Sequence, residues 1–93
     1  MNKTYMTELS KLATGLVIKG IPFKFKKLLD GYQIVVVNLK NDNKWEWDAI
    51  CHSTSYGHEV GLLEIMGTIV DLNKTGGESV EGCLTAEEIL KRL

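Results

Sequence analysis

A chain of 93 residues can build one hydrophobic core but is short for two, so residues 1–93 are read as a single domain. With 44% hydrophobic and 25% charged residues and one proline, the composition is that of a globular chain and excludes a disordered tail. The formal net charge of -1 excludes a strong whole-molecule pull toward nucleic acid or anionic membrane, and neither is an expected partner.

Glu8, Ser10 and Lys11 fall where a secretory signal would need an unbroken apolar run, and no stretch reaches transmembrane length. The expected location is therefore the cytoplasm. Cys51 and Cys83 are the two cysteines, with no Cys-x-x-Cys pair, so reduced, packed thiols are expected rather than a disulfide framework or a zinc knuckle.

Over residues 4–19, Tyr5, Leu9, Leu12, Ala13 and Leu16 recur at spacings of three and four, which marks one buried stripe of a helix. Gly20 supplies a left-handed stop, Ile21 an apolar contact after it, and Pro22 a bar to continuation. The period then changes to two. Ile21, Phe23 and Phe25 would share one strand face with Lys24 and Lys26 on the other. Asp30-Gly31 suits the positive dihedrals of a hairpin turn, and residues 32–39 follow as a second strand. Ile34, Val35, Val36 and Val37 make both faces of that strand apolar, which predicts a central strand covered on each side.

After a polar turn, residues 45–51 alternate as a third strand, with Trp45, Trp47, Ala49 and Cys51 on one buried side. In residues 61–70, Leu62, Ile65, Met66 and Ile69 fit helical spacing, but Gly61 and Gly67 would each cost a helix interior roughly 1 kcal/mol, so a fourth strand is favoured. Residues 74–79 read as a flexible loop and 80–84 as a short additional edge strand. Thr85 with Glu88 forms a capping box for a last short helix, and Leu84 can staple to Ile89. The expected fold is α+β, an antiparallel sheet of about four strands with a helix at each end, in the order α-β-β-β-β-α. Two short helices leave too little cover for so apolar a central strand, which makes a homodimer an expected way to bury the remainder.

Polar and ionisable side chains crowd most densely at His52, Ser53, Thr54, Ser55, Tyr56, Gly57, His58 and Glu59, which include both histidines of the chain. Tyr56 could stack on a ring, the hydroxyls and backbone N–H groups could hold polar or phosphate atoms, and a histidine adds a switchable donor. His52, Ser53, Ser55, Tyr56, Gly57, His58 and Glu59 are accordingly the candidate ligand-binding residues. The competing reading is a turn in which the same residues serve only the backbone. His52, His58 and Glu59 fall short of the four ligands of a structural zinc site, so no metal or other cofactor is expected. Cys51 and His52 are consecutive in a strand and point to opposite faces, against a thiol nucleophile. No catalytic residue is assigned. Trp45 and Trp47 with Lys40 and Lys44, or Lys24, Lys26 and Lys27 beside the phenylalanines, could form a nucleic-acid platform, but alternation favours packed tryptophans and a solvated lysine face.

The segments Trp47-Asp48-Ala49-Ile50-Cys51-His52, Ser55-Tyr56-Gly57-His58-Glu59, Gly61-Leu62-Leu63-Glu64-Ile65-Met66-Gly67 and Glu81-Gly82-Cys83-Leu84-Thr85-Ala86-Glu87-Glu88 resemble small uncharacterised proteins of phages and prophages of Gram-positive bacteria. The likeness spans nearly the whole chain. It implies a small accessory protein acting on host machinery, such as an anti-defence inhibitor or a sponge. Its expected partner is a host protein or a small nucleotide-like ligand bound through the 52–59 loop. It also ranks binding above catalysis, because a stoichiometric binder needs only a shaped surface. The alternatives are a nucleic-acid-associated regulator and a small hydrolase or metal enzyme.

Overall fold

A computed structural model describes residues 4–93. Its elements run α1 (Thr4–Lys19), β1 (Lys24–Leu28), β2 (Gly31–Asn38), β3 (Lys44–Cys51), β4 (Leu63–Gly67), α2 (Leu72–Thr75), β5 (Val80–Leu84) and α3 (Ala86–Leu90), with a single 3-10 turn at His58–Val60. The five strands form one antiparallel meander in the order β1-β2-β3-β4-β5. The α+β architecture is as the residue pattern predicts, with 80–84 adding the fifth strand. Among the described residues no helix is long and apolar enough to cross a membrane.

Helix α1 ends as its residues dictate. Gly20 takes φ 71°, its N–H donates to the Val17 carbonyl at 3.0 Å, and the Ile21 N–H reaches back to Leu16 at 2.9 Å. These paired bonds satisfy carbonyls that the helix end would otherwise leave orphaned. The capping box of α3 is complete: the Glu88 N–H donates to Thr85 Oγ1 at 3.2 Å, and the Thr85 N–H to Glu88 Oε1 at 3.1 Å. Glu8 of α1 also accepts the Ala86 N–H at 2.8 Å, tying the two helices together.

Both helices pack on one face of the sheet. The core joins Tyr5, Leu9, Leu12 and Leu16 of α1 and Ile89 of α3 to Ile34, Val36, Trp47, Ala49, Cys51, Leu63, Ile65 and Leu84 of the sheet. The expectation that β2 is covered on each side is corrected: Ile34 and Val36 are buried, whereas Val35 and Val37 on the opposite face are only partly so. The two helices that enter the core, α1 and α3, lie on one side and leave the other side of β2 without a packed layer.

Trp45 is a second correction. Val36 pairs with Trp47 but Val37 pairs with Trp45, so Glu46 is an extra residue in β3, and the bulge turns Trp45 to the face opposite Trp47. Trp47 is buried while Trp45 is exposed. Strict alternation cannot register an inserted residue, which is why the pattern assigned both rings to one side.

The β1-β2 hairpin also departs from expectation. Leu28 pairs with Gly31 across Leu29 and Asp30, and the positive φ, 54°, falls on Leu29. Gly31 is needed for another reason: a Cβ there would lie 1.9 Å from the Cys51 carbonyl oxygen and 2.8 Å from His52 Cα. The glycine lets β2 and β3 approach where the candidate loop begins.

Candidate functional site

The loop leaving β3 at Cys51 and entering β4 at Leu63 wraps the end of the sheet, held by its own polar atoms. Ser55 is the pivot. Its Oγ accepts the His52 N–H and donates to the His52 carbonyl, both at 2.9 Å, and its own N–H donates to the same carbonyl at 3.1 Å. The His52 ring is buried, and its Nδ1 accepts the Thr54 N–H at 3.2 Å, which places the ring proton of the neutral form on Nε2. Ser53 donates its N–H to Asp30 Oδ1 at 3.0 Å, and this hydrogen bond holds the Asp30 carboxyl below its ordinary range.

Tyr56 donates its N–H to Glu64 Oε1 at 3.0 Å, and its carbonyl accepts the Cys83 N–H at 3.3 Å. The body of Tyr56 lies over Gly82, where a Cβ would come within 2.4 Å of Tyr56 Cβ. Gly57 has φ 96° and is wedged between β5 and Leu62, so any side chain would strain the backbone and meet Cys83 Cα at 2.9 Å. His58 turns to the helix side. Its Nδ1 lies 3.4 Å from the Tyr5 hydroxyl, the two rings meet edge to face, and its Nε2 lies 3.1 Å from Glu59 Oε1.

The predicted residues are thus brought into one loop without converging on one point. His52, Ser55 and Gly57 are buried and structural in their contacts, while Ser53, Tyr56 and Glu59 are exposed. The N–H groups of residues 52, 53, 54, 55, 56, 58, 60, 61 and 62 all donate inside the fold. What the loop offers to a partner is its exposed side chains: Tyr56, 67% accessible, Val60, 72% accessible, and Glu59.

Among the described residues, no group of three or more His, Cys, Asp and Glu side chains is placed to hold a metal ion. Cys51 is buried, its Sγ lies 3.5 Å from the Leu62 carbonyl, and burial pushes the thiol up to about 11. Such a thiol supplies negligible thiolate near neutral pH. Cys83, expected to be packed, is exposed instead: it sits in a bulge where Gly82 and Cys83 together span the gap opposite Glu64, with φ 60°. The lysines of β1 are split by the strand: register places Lys24 and Lys26 on the open face and Lys27 on the other, so they make no single cationic surface.

The residues that hold the loop, Asp30, Glu64 and Tyr5, are not marked by any local motif. Asp30 comes from the β1-β2 turn, Glu64 from β4 and Tyr5 from α1, so strand pairing and the seating of the helix bring them to the loop. No family model, curated protein or solved structure matches this chain.

Proposed function

We propose that this is a non-catalytic accessory binding protein of phage type, acting in the host cytoplasm in an anti-defence role, and that it engages a host protein through the rim formed by Tyr56, Glu59 and Val60. The observation that carries the reading is the inward direction of the loop's hydrogen bonds combined with the outward exposure of its two large apolar side chains. A loop already held in one conformation loses little entropy on binding, and an aromatic ring on such a support suits the anchor of a protein interface. A nucleotide phosphate would instead call for converging, unoccupied donors, and these N–H groups are already engaged. The host-protein reading is therefore favoured over the nucleotide-like ligand.

Native mass spectrometry of protein recovered from host cells tests this directly. The expected result is a retained host protein of fixed stoichiometry that is lost with Tyr56→Ala or Val60→Ser, each variant keeping the wild-type melting temperature. Stabilisation of the wild type by nucleotides, abolished in Tyr56→Ala, would transfer the loop to small-ligand capture. Retention of the same partner by both variants would exclude the rim.

A further inference from the structure

The face of the sheet opposite α1 and α3 is left open over β1, β2 and β3, and Val70 and Leu72 border it beside Trp45 and Met66. Register places Val35 and Val37 of β2, Trp45 and Ile50 of β3 and Met66 of β4 on it, all partly or largely exposed. The same face is electrically divided. Lys24 and Lys26 lie along the β1 side, while Asp48 and Glu64 lie on β3 and β4. Gln33 donates to Asp48 Oδ2 at 2.6 Å, which holds that carboxylate in place within the apolar surround.

We propose that this face pairs with a second copy of the chain, face to face, about a two-fold axis running along the strands over β2 and β3. The charge layout selects that axis. It sets Lys26 of each copy opposite Glu64 of the other and Lys24 beside Asp48, and it brings Val37 of each copy against Trp45 of the other. An axis across the strands would put the β1 lysines of one copy over those of the other, a like-charge contact that costs association energy. Two antiparallel sheets stacked in this way, about 10 Å apart, form an ordinary sandwich. A five-stranded face of roughly 20 Å by 20 Å presents about 400 Å² per copy, a small interface beside the standard ones that bury ~1,200 Å² or more in total, so the complementary charges carry the choice of partner.

Glu64 serves both regions through the Tyr56 N–H, but the Tyr56 ring takes no part in the pairing, so Tyr56→Ala, which keeps that N–H, is expected to abolish partner retention and leave self-association unchanged. Sedimentation velocity of the full chain over the micromolar range reads the dimer. In K24E/K26E the face is wholly acidic and in D48K/E64K it is wholly basic. Each is expected to be monomeric alone, and an equimolar mixture is expected to restore a dimer. V35T/V37T preserves β-branching and is expected to weaken the dimer about tenfold, which keeps the test decisive if a charge variant fails to fold. A monomeric wild type at every concentration would overturn the proposal. So would a dimer that the charge reversals or V35T/V37T leave unchanged, because association would then use another surface.

Discussion

The two cysteines show how a residue's surroundings decide its chemistry. Cys51 sits at the end of a central strand under α1 with its thiol raised to about 11, whereas Cys83 stands exposed in a bulge of the edge strand. Alkylation at pH 8 is therefore expected to modify one thiol rapidly, at Cys83 by peptide mapping, with Cys51 reacting only once the protein is unfolded. Rapid reaction of both would show that the strand end at Cys51 opens readily. Tyr56 is a similar case: its backbone is held by Glu64 and Cys83 while its ring stays out, a division between support and contact that composition alone does not display.

At the scale of elements, the β2-β3 pair is the most sensitive point. A side chain on Gly31 would collide with the Cys51 carbonyl and His52 backbone, which are held by the sheet and the loop. Gly31→Ala is expected to cost about 3 kcal/mol or more, read from urea unfolding, because backbone must move to admit the methyl group. Thr85→Ala removes a cap at an exposed helix start and is expected to cost only about 1 kcal/mol. If the order of these two were reversed, the close strand approach would not be a determinant of stability. The 45–51 stretch illustrates the same dependence on neighbours: one extra residue at Glu46 moved an entire tryptophan from core to surface.

For the whole molecule, the pair of Glu81 and Arg92 links the edge strand to the C-terminal segment. Arg92 donates to both carboxylate oxygens of Glu81, at 2.6 and 2.7 Å, and also to the Ile69 carbonyl at 3.0 Å. These bonds hold the buried Glu81 carboxyl down to about 2 from 4.5. Because the folded pKa is the lower one, the pair's contribution is fully present above about pH 4.5 and is lost as pH falls toward about 2. Asp48, raised by burial, acts in the opposite sense: its folded form favours the proton, so it weakens the fold as it ionises. The larger displacement belongs to Glu81, and a net loss of stability on acidification is expected, on the order of 2–3 kcal/mol from this group. Urea titrations at a series of pH values measure it. Arg92→Ala is expected to cost about 3 kcal/mol at pH 7, by leaving a buried carboxylate with only the Asp71 N–H and the more distant Lys74 as partners, and to flatten the acid slope. An unchanged slope in that variant would assign the acid sensitivity to other groups.

Local rules made much of this protein legible in one dimension. The period of α1, its Gly20 stop, the capping box at Thr85, the alternation of β3 from Trp47 to Cys51 and the glycines that disfavour a helix at 61–70 each act within a few residues, and each element appears where its pattern requires. The crowding of polar residues at 52–59 was equally visible, and so was the shortage of cover for β2. What tertiary structure decided was direction and partnership. Both helices settled on one face, so Val35, Val37 and Ile50 were left on the other. The bulge at Glu46 reversed Trp45, and Asp30 and Tyr5 from distant positions, with Glu64 from the neighbouring strand, turned the loop's polar atoms inward. Periodicity specifies which residues share a side of one strand; only the pairing of strands and the seating of helices determines which side is filled and which group meets which.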